Sequence, residues 1–134
     1  MITYTFDLSN VNWAVLKATL QADNFDNGRS PELYKKSFEN SFAVCLACDG
    51  DKIIGNVRVL SDGVCNAYIV DVWTHNDYRR RGIATYMMKL CLEKLPGQHV
   101  YLFTDDRMDF YHSLGFKEQD AGMGRVVGSW LVNG

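Results

Sequence analysis

Tyr68-Ile-Val-Asp-Val-Trp-Thr74, followed after a short gap by Arg79-Arg-Arg-Gly-Ile-Ala84, joins a mostly apolar strand to the start of a helix. The first run is rich in β-branched and aromatic residues, which fit a half-buried pleated surface. Beyond the second run, Ile83, Met87, Leu90 and Cys91 fall on one helical face, and the helix should stop before Pro96-Gly97. The first turn of a helix has backbone N–H groups without intrahelical partners, and the aligned peptide dipoles add partial positive charge there. Gly82 lets the backbone approach a ligand, small Ala84 leaves the amides uncovered, and three arginines offer charge-assisted bonds. The junction therefore reads as the mouth of a phosphate-binding helix. The bland alternative is a solvated basic loop with a turn glycine.

Working towards the N-terminus, Cys65 to Thr74 is preceded by the turn Ser61-Asp-Gly63, the strand Lys52 to Leu60, the turn Asp49-Gly-Asp51 and a strand in Ser41 to Cys48. That succession predicts an antiparallel meander. Ser30-Pro31-Glu32 combines a capping residue, a first-position proline and a first-turn acid. It predicts a helix from Pro31 to near Asn40, with Leu33, Tyr34, Ser37 and Phe38 facing inward. Before a turn-rich stretch from Asp23 to Ser30, Trp13, Leu16 and Leu20 recur at helical spacing behind a cap at Ser9 or Asn10, and Ile2 to Phe6 alternates as a first strand. Towards the C-terminus the expected elements are a strand from His99 to Thr104, a short helix from Asp106 to Leu114 ended by Gly115, and a last strand from Val126 to Val132. Strands and helices interleave without a strict βαβ repeat, which implies an α+β fold: a mixed, mostly antiparallel sheet flanked by helices.

With 134 residues, 47% of them hydrophobic, the chain has the size of one domain, residues 1–134. Its 14 basic and 16 acidic residues give a net charge of −2, so no general attraction draws it to nucleic acid or an anionic membrane, and any affinity for phosphate must be local. No segment approaches the length of a membrane span, and the start of the chain lacks the pattern of a signal peptide; a cytoplasmic protein is expected. Cys45 and Cys48 form a Cys-x-x-Cys, but on a strand residues three apart point to opposite faces, and no second pair completes a metal site. Structural thiols and no metal are expected.

Arg-x-x-Gly-x-Ala at Arg79 to Ala84, preceded by Asn76-Asp77-Tyr78, resembles the acetyl-CoA signature of the Gcn5-related N-acetyltransferase (GNAT) superfamily. Phe110-Tyr111-His-Ser-Leu114-Gly115-Phe116 is similar to the superfamily's second signature, and the order of elements matches along nearly the whole chain. The resemblance implies an acyl-CoA N-acyltransferase fold and acetyl-CoA as cosubstrate. The fourth and fifth strands would splay apart, so that the pantetheine arm pairs with Val72, Trp73 and Thr74. Amides of Arg81, Gly82, Ile83, Ala84 and Thr85 would hold the pyrophosphate, with Arg79 beside it.

Acetyl transfer needs a neutral amine, a stabilised oxyanion and a proton for the departing thiolate. By the resemblance, the Trp73 backbone N–H is the expected oxyanion donor and Tyr111 the general acid, against a plain packing role beside Phe110 and Phe116. Asp71, a carboxylate in an otherwise apolar strand, either handles the amine's proton or bonds to a neighbouring strand, and His75 is the other candidate base. The acceptor, a small-molecule or peptide amine, would bind against the first two helices and their loop, where Asp23, Asp26, Asp105, Asp106 and Asp109 would make that side acidic and favour a cation; the bland alternative is that such acids cap helix starts. The competing reading is a non-catalytic acyl-CoA sensor; nucleic-acid and membrane partners are not expected. The last strand could close the sheet or pair with a second copy in a homodimer.

Overall fold

Residues 1–130 are described by a computed structural model. In chain order the elements are β1 (Ile2–Thr5), α1 (Trp13–Ala22), α2 (Pro31–Glu39), β2 (Ala43–Asp49), β3 (Lys52–Ser61), β4 (Asn66–Thr74), α3 (Ile83–Leu92), β5 (His99–Tyr101) and α4 (Met108–Ser113), with a 3-10 turn at Asn76–Tyr78 before α3. The strands form one sheet in the order β1-β2-β3-β4-β5. The first four are antiparallel neighbours, and β5 joins β4 in parallel. The expected meander and mixed sheet are both present.

Local chemistry sets the helix starts. Ser30 Oγ accepts from the Leu33 N–H at 3.2 Å and Pro31 opens α2, as its sequence implies. For α1 the cap is Asn12, whose Oδ1 accepts from the Val15 N–H at 3.1 Å, and not Ser9 or Asn10. Ser9 is instead drawn back towards the strand end, its N–H donating to Asp7 Oδ1 at 2.9 Å.

The two helical layers bury opposite faces of the sheet. Leu16 and Leu20 of α1 and Tyr34 and Phe38 of α2 pack with Val44, Leu46 and Trp73. On the other face Met87, Met88 and Cys91 of α3 meet Cys45, Val57 and Ile69. Each fully buried large side chain of this kind contributes about 2 kcal/mol. Cys45 belongs to the α3 side and Cys48 packs against the other, so the Cys-x-x-Cys thiols are split across the sheet. No described helix is long and apolar enough to cross a membrane.

Gly55 of β3 lies under α3, against Met87. A methyl group there would meet Met87 Cε and the Trp73 carbonyl oxygen, both at 3.0 Å. The methionine can give way but the carbonyl belongs to the neighbouring strand, so Gly55→Ala should destabilise the fold by about 1–3 kcal/mol, seen as a lower melting temperature.

Two expectations for the C-terminal third are corrected. β5 ends at Tyr101, not Thr104. Val126 to Trp130 is not a strand: it runs through bends and a turn, with Val126, Val127 and Trp130 exposed and Gly128 at φ 71°. Gly128 interrupts any regular strand there, because glycine has no side chain to pack and ample freedom to turn. Leu131 and Val132 lie outside the described residues. Among the described residues the sheet therefore stops at β5.

Candidate functional site

Strand β4 is paired along its whole length on one side only. β3 accompanies it to Thr74, whereas β5 accompanies it only from Asn66 to Tyr68. Beyond that point β4 presents an unpaired edge. The register shifts between Arg58 and Val59, so that Arg58 opposes Asp71 while Val59 opposes Ile69, and Val70 is an extra, bulged residue. A bulge bends its strand and increases the local twist, which here coincides with the parting of β4 from β5.

The hydrogen-bond alternation of the antiparallel ladder decides which amides face the gap. His75 N–H donates to the Ile54 carbonyl at 2.7 Å, and in the same register Trp73 opposes Asn56. Residues two apart share one orientation, so Trp73, like His75, turns its N–H and C=O towards β3. The closeness of the Trp73 carbonyl to Gly55 agrees with this. Val72 and Thr74 point their main-chain groups the other way, into the gap. Of the three cofactor-arm residues named from sequence, Val72 and Thr74 thus have cleft-facing backbone; the Trp73 N–H, expected to stabilise an oxyanion, does not.

At the end of that edge lies the mouth of α3. Its N-cap, Gly82, sits at φ 76° with no side-chain cap, unlike Asn12 and Ser30 on the other two long helices. The first-turn amides of Ile83, Ala84 and Thr85 are consequently left for a ligand. Arg80 is also left-handed, at φ 64°, a conformation that costs a non-glycine residue about 1–2 kcal/mol. Such strain persists only where the surroundings fix the loop. Three contacts do so: Tyr78 Oη donates to Asp49 Oδ2 at 2.6 Å, Arg81 Nη2 donates to the Asp77 carbonyl at 3.3 Å, and Arg79 Nε donates to the Thr74 carbonyl at 3.1 Å. The side chains of Arg79 and Arg81 are thus folded back on the backbone of the loop and the strand end before it.

Tyr111 of α4 is buried, its ring 4.9 Å from that of Phe110 and 5.9 Å from that of Phe116. Burial pushes its phenol above the ordinary value, keeping it protonated at neutral pH. Among the described residues its hydroxyl makes no side-chain hydrogen bond. It also lines a cavity of about 690 Å³, walled by Tyr101, Phe103, Met108 and Phe116. That cavity holds no residue of β4 or of the α3 mouth. It lies beside β5, between that strand and residues 114–122, and it is not the groove described above.

The two candidate bases are otherwise engaged. Asp71 Oδ2 accepts from Arg58 Nε at 2.8 Å, the cross-strand bond that was the alternative reading of a carboxylate in this strand. His75 Nδ1 accepts from the Asp77 N–H at 3.1 Å, between the rings of Trp73 and Tyr78. It caps the 3-10 turn and is partly buried.

Two polar residues here have surroundings that their sequence context did not show. Asn56 is fully buried, and among the described residues neither its Nδ2 nor its Oδ1 has a partner with hydrogen-bond geometry. An asparagine inside Ile53-Ile-Gly-Asn-Val57 was the available signal. Asp23, read from sequence as one of the acids favouring a cationic acceptor, has a side chain 8% exposed that accepts from Trp73 Nε1 at 2.9 Å and from the Asn76 N–H at 3.3 Å. No local pattern could have found partners so distant in sequence.

No curated protein matches the chain. Solved structures do. A GNAT-family acetyltransferase from Streptococcus pneumoniae TIGR4 is 25% identical, with a TM-score of 0.77 over 96% of this chain and 98% of that one. Glucosamine-6-phosphate N-acetyltransferase from Arabidopsis thaliana, at 14% identity, shares the fold with a TM-score of 0.73 over 94% of this chain and 98% of that one. An aminoglycoside acetyltransferase from an uncultured soil metagenomic sample, at 20% identity, does so with a TM-score of 0.69 over 96% and 99%. The family model of the GNAT acetyltransferases matches residues 10–116, which span β4, the α3 mouth and Tyr111, and the chain belongs to that family.

Proposed function

We propose that the chain transfers an acetyl group from acetyl-CoA to a primary amine of a small molecule or peptide, by direct attack within a ternary complex. The observation that carries this reading is the meeting, at one end of β4, of an unpaired strand edge with an uncapped helix start. One offers amide-pairing groups to an extended arm and the other offers N–H donors to a diphosphate, 3.6-residue helix and pleated strand each contributing what the other lacks. Bound acetyl-CoA would supply the activated thioester.

The amides from Arg81 to Thr85 are the pyrophosphate donors in this reading. Val72 and Thr74 receive the pantetheine arm and, in place of Trp73, bring cleft-facing N–H groups within reach of the thioester oxygen; a fixed main-chain dipole stabilises an oxyanion without reorganising. Tyr111 protonates the departing thiolate. Asp71 acts as a positioning residue through Arg58, and the proton of the incoming amine passes to water, since the carboxylate of Asp71 and the imidazole of His75 already have partners.

Thiol release from acetyl-CoA in the presence of a panel of primary amines tests the proposal. Turnover should rise with pH as the amine loses its proton. The Tyr111 limb has the opposite sign: the phenol acts protonated, and because its pKa is raised above 10 it should not depress the rate until still higher pH. Binding of CoA without turnover across the whole panel would instead indicate a sensor.

A further inference from the structure

We infer that Arg79 bolts the end of the open β4 edge in the free protein, that Asp23 holds the bolt, and that CoA must draw it aside to bind. This rests on the cofactor reading above and goes beyond it, because it makes an acid from the α1–α2 connection a determinant of cofactor affinity. The Arg79 Nε donates to the carbonyl of Thr74, one of the two residues whose main chain faces the gap. Its Nη2 lies 3.8 Å from Asp23 Oδ2. Asp23 is itself fixed by Trp73 Nε1 and by the Asn76 N–H, at opposite ends of the turn that leaves β4.

The exposures of the two side chains differ in a telling way. Asp23 is 8% exposed and anchored, whereas Arg79 is 43% exposed and can leave. A diphosphate offers a guanidinium more negative charge than one carboxylate does, and an arm amide can replace the arginine as donor to the Thr74 carbonyl. Arg79 is therefore both a contact for the pyrophosphate and an obstacle to the arm. A ligand with the arm but no phosphates meets only the obstacle.

Calorimetric titration with CoA and with pantetheine separates these roles. R79A should bind CoA less tightly than wild type, yet bind pantetheine more tightly, by about threefold in each direction, the scale of one partly exposed charge pair. D23N keeps the oxygen that Trp73 and Asn76 need but loses the charge that retains Arg79. It should bind CoA about threefold more tightly, and that gain should vanish in the D23N/R79A double variant. Three results would overturn the inference: unchanged or weaker pantetheine binding by R79A, weaker or unchanged CoA binding by D23N, or an equal D23N gain with and without Arg79, which would mean direct repulsion of the phosphates. Should D23N fail to fold, the opposite signs expected of R79A still decide. If wild type binds no CoA at all, the cofactor reading itself fails, an outcome distinct from the other three.

Discussion

Gly82→Asp should raise the dissociation constant for CoA about thirtyfold, measured by calorimetry on the folded variant. Gly82 is the N-cap of α3 at φ 76°, where a side chain costs about 1 kcal/mol of backbone strain even for the tolerant aspartate. A carboxylate at the helix mouth adds about 1 kcal/mol of repulsion against a phosphate held by the same amides. Together these come to about 2 kcal/mol, or about thirtyfold in affinity. Crowding cannot supply the effect, since a Cβ at Gly82 meets no atom within 4 Å. Gly82→Ala isolates the strain and should cost only about fivefold. Unchanged affinity in the aspartate variant would sink the phosphate assignment.

The second large effect is expected at Tyr111. Tyr111→Phe removes the one oxygen assigned to thiolate protonation and keeps the ring that packs against Phe110 and Phe116. Turnover should fall about a hundredfold, the lower end of general-acid contributions, with CoA affinity within about twofold of wild type. The melting temperature should barely move, because no hydrogen bond to the hydroxyl is lost among the described residues. The full turnover in the phenylalanine variant would leave Tyr111 a core aromatic and move the acid elsewhere. A matching drop in affinity would show that the substitution disturbs the groove and not the chemistry.

The amino-acid sequence by itself determined whatever depends on neighbours along the chain. Ser30-Pro31 starts α2, the turns at Asp49 to Asp51 and Ser61 to Gly63 fold the meander, and Gly82 marks the mouth of α3. Each is a local competition between caps, turn formers and hydrophobic period, so a few residues carry the answer. The spacing of Cys45 and Cys48 likewise fixed their separation across the sheet, because strand alternation is local too.

Tertiary structure alone decided the rest. The bulge at Val70 is a mismatch between two strands and has no mark in either one, yet it sets which main-chain groups of Val72, Trp73 and Thr74 reach the gap. β5 stops at Tyr101 because a strand persists only while it has a partner, and β4 has already turned away. The strand expected at Val126 is absent as far as Trp130 although β5 has a free edge among the described residues: the apolar residues satisfied a pattern, but Gly128 turns the chain at φ 71°. Asp71 shows the division most plainly. Its sequence context allowed either catalysis or a cross-strand bond, and Arg58, brought opposite it by register, selected the bond. Asp23 is the reverse case: unremarkable in its own stretch, it becomes a control point because folding carries Trp73 and Arg79 to its carboxylate.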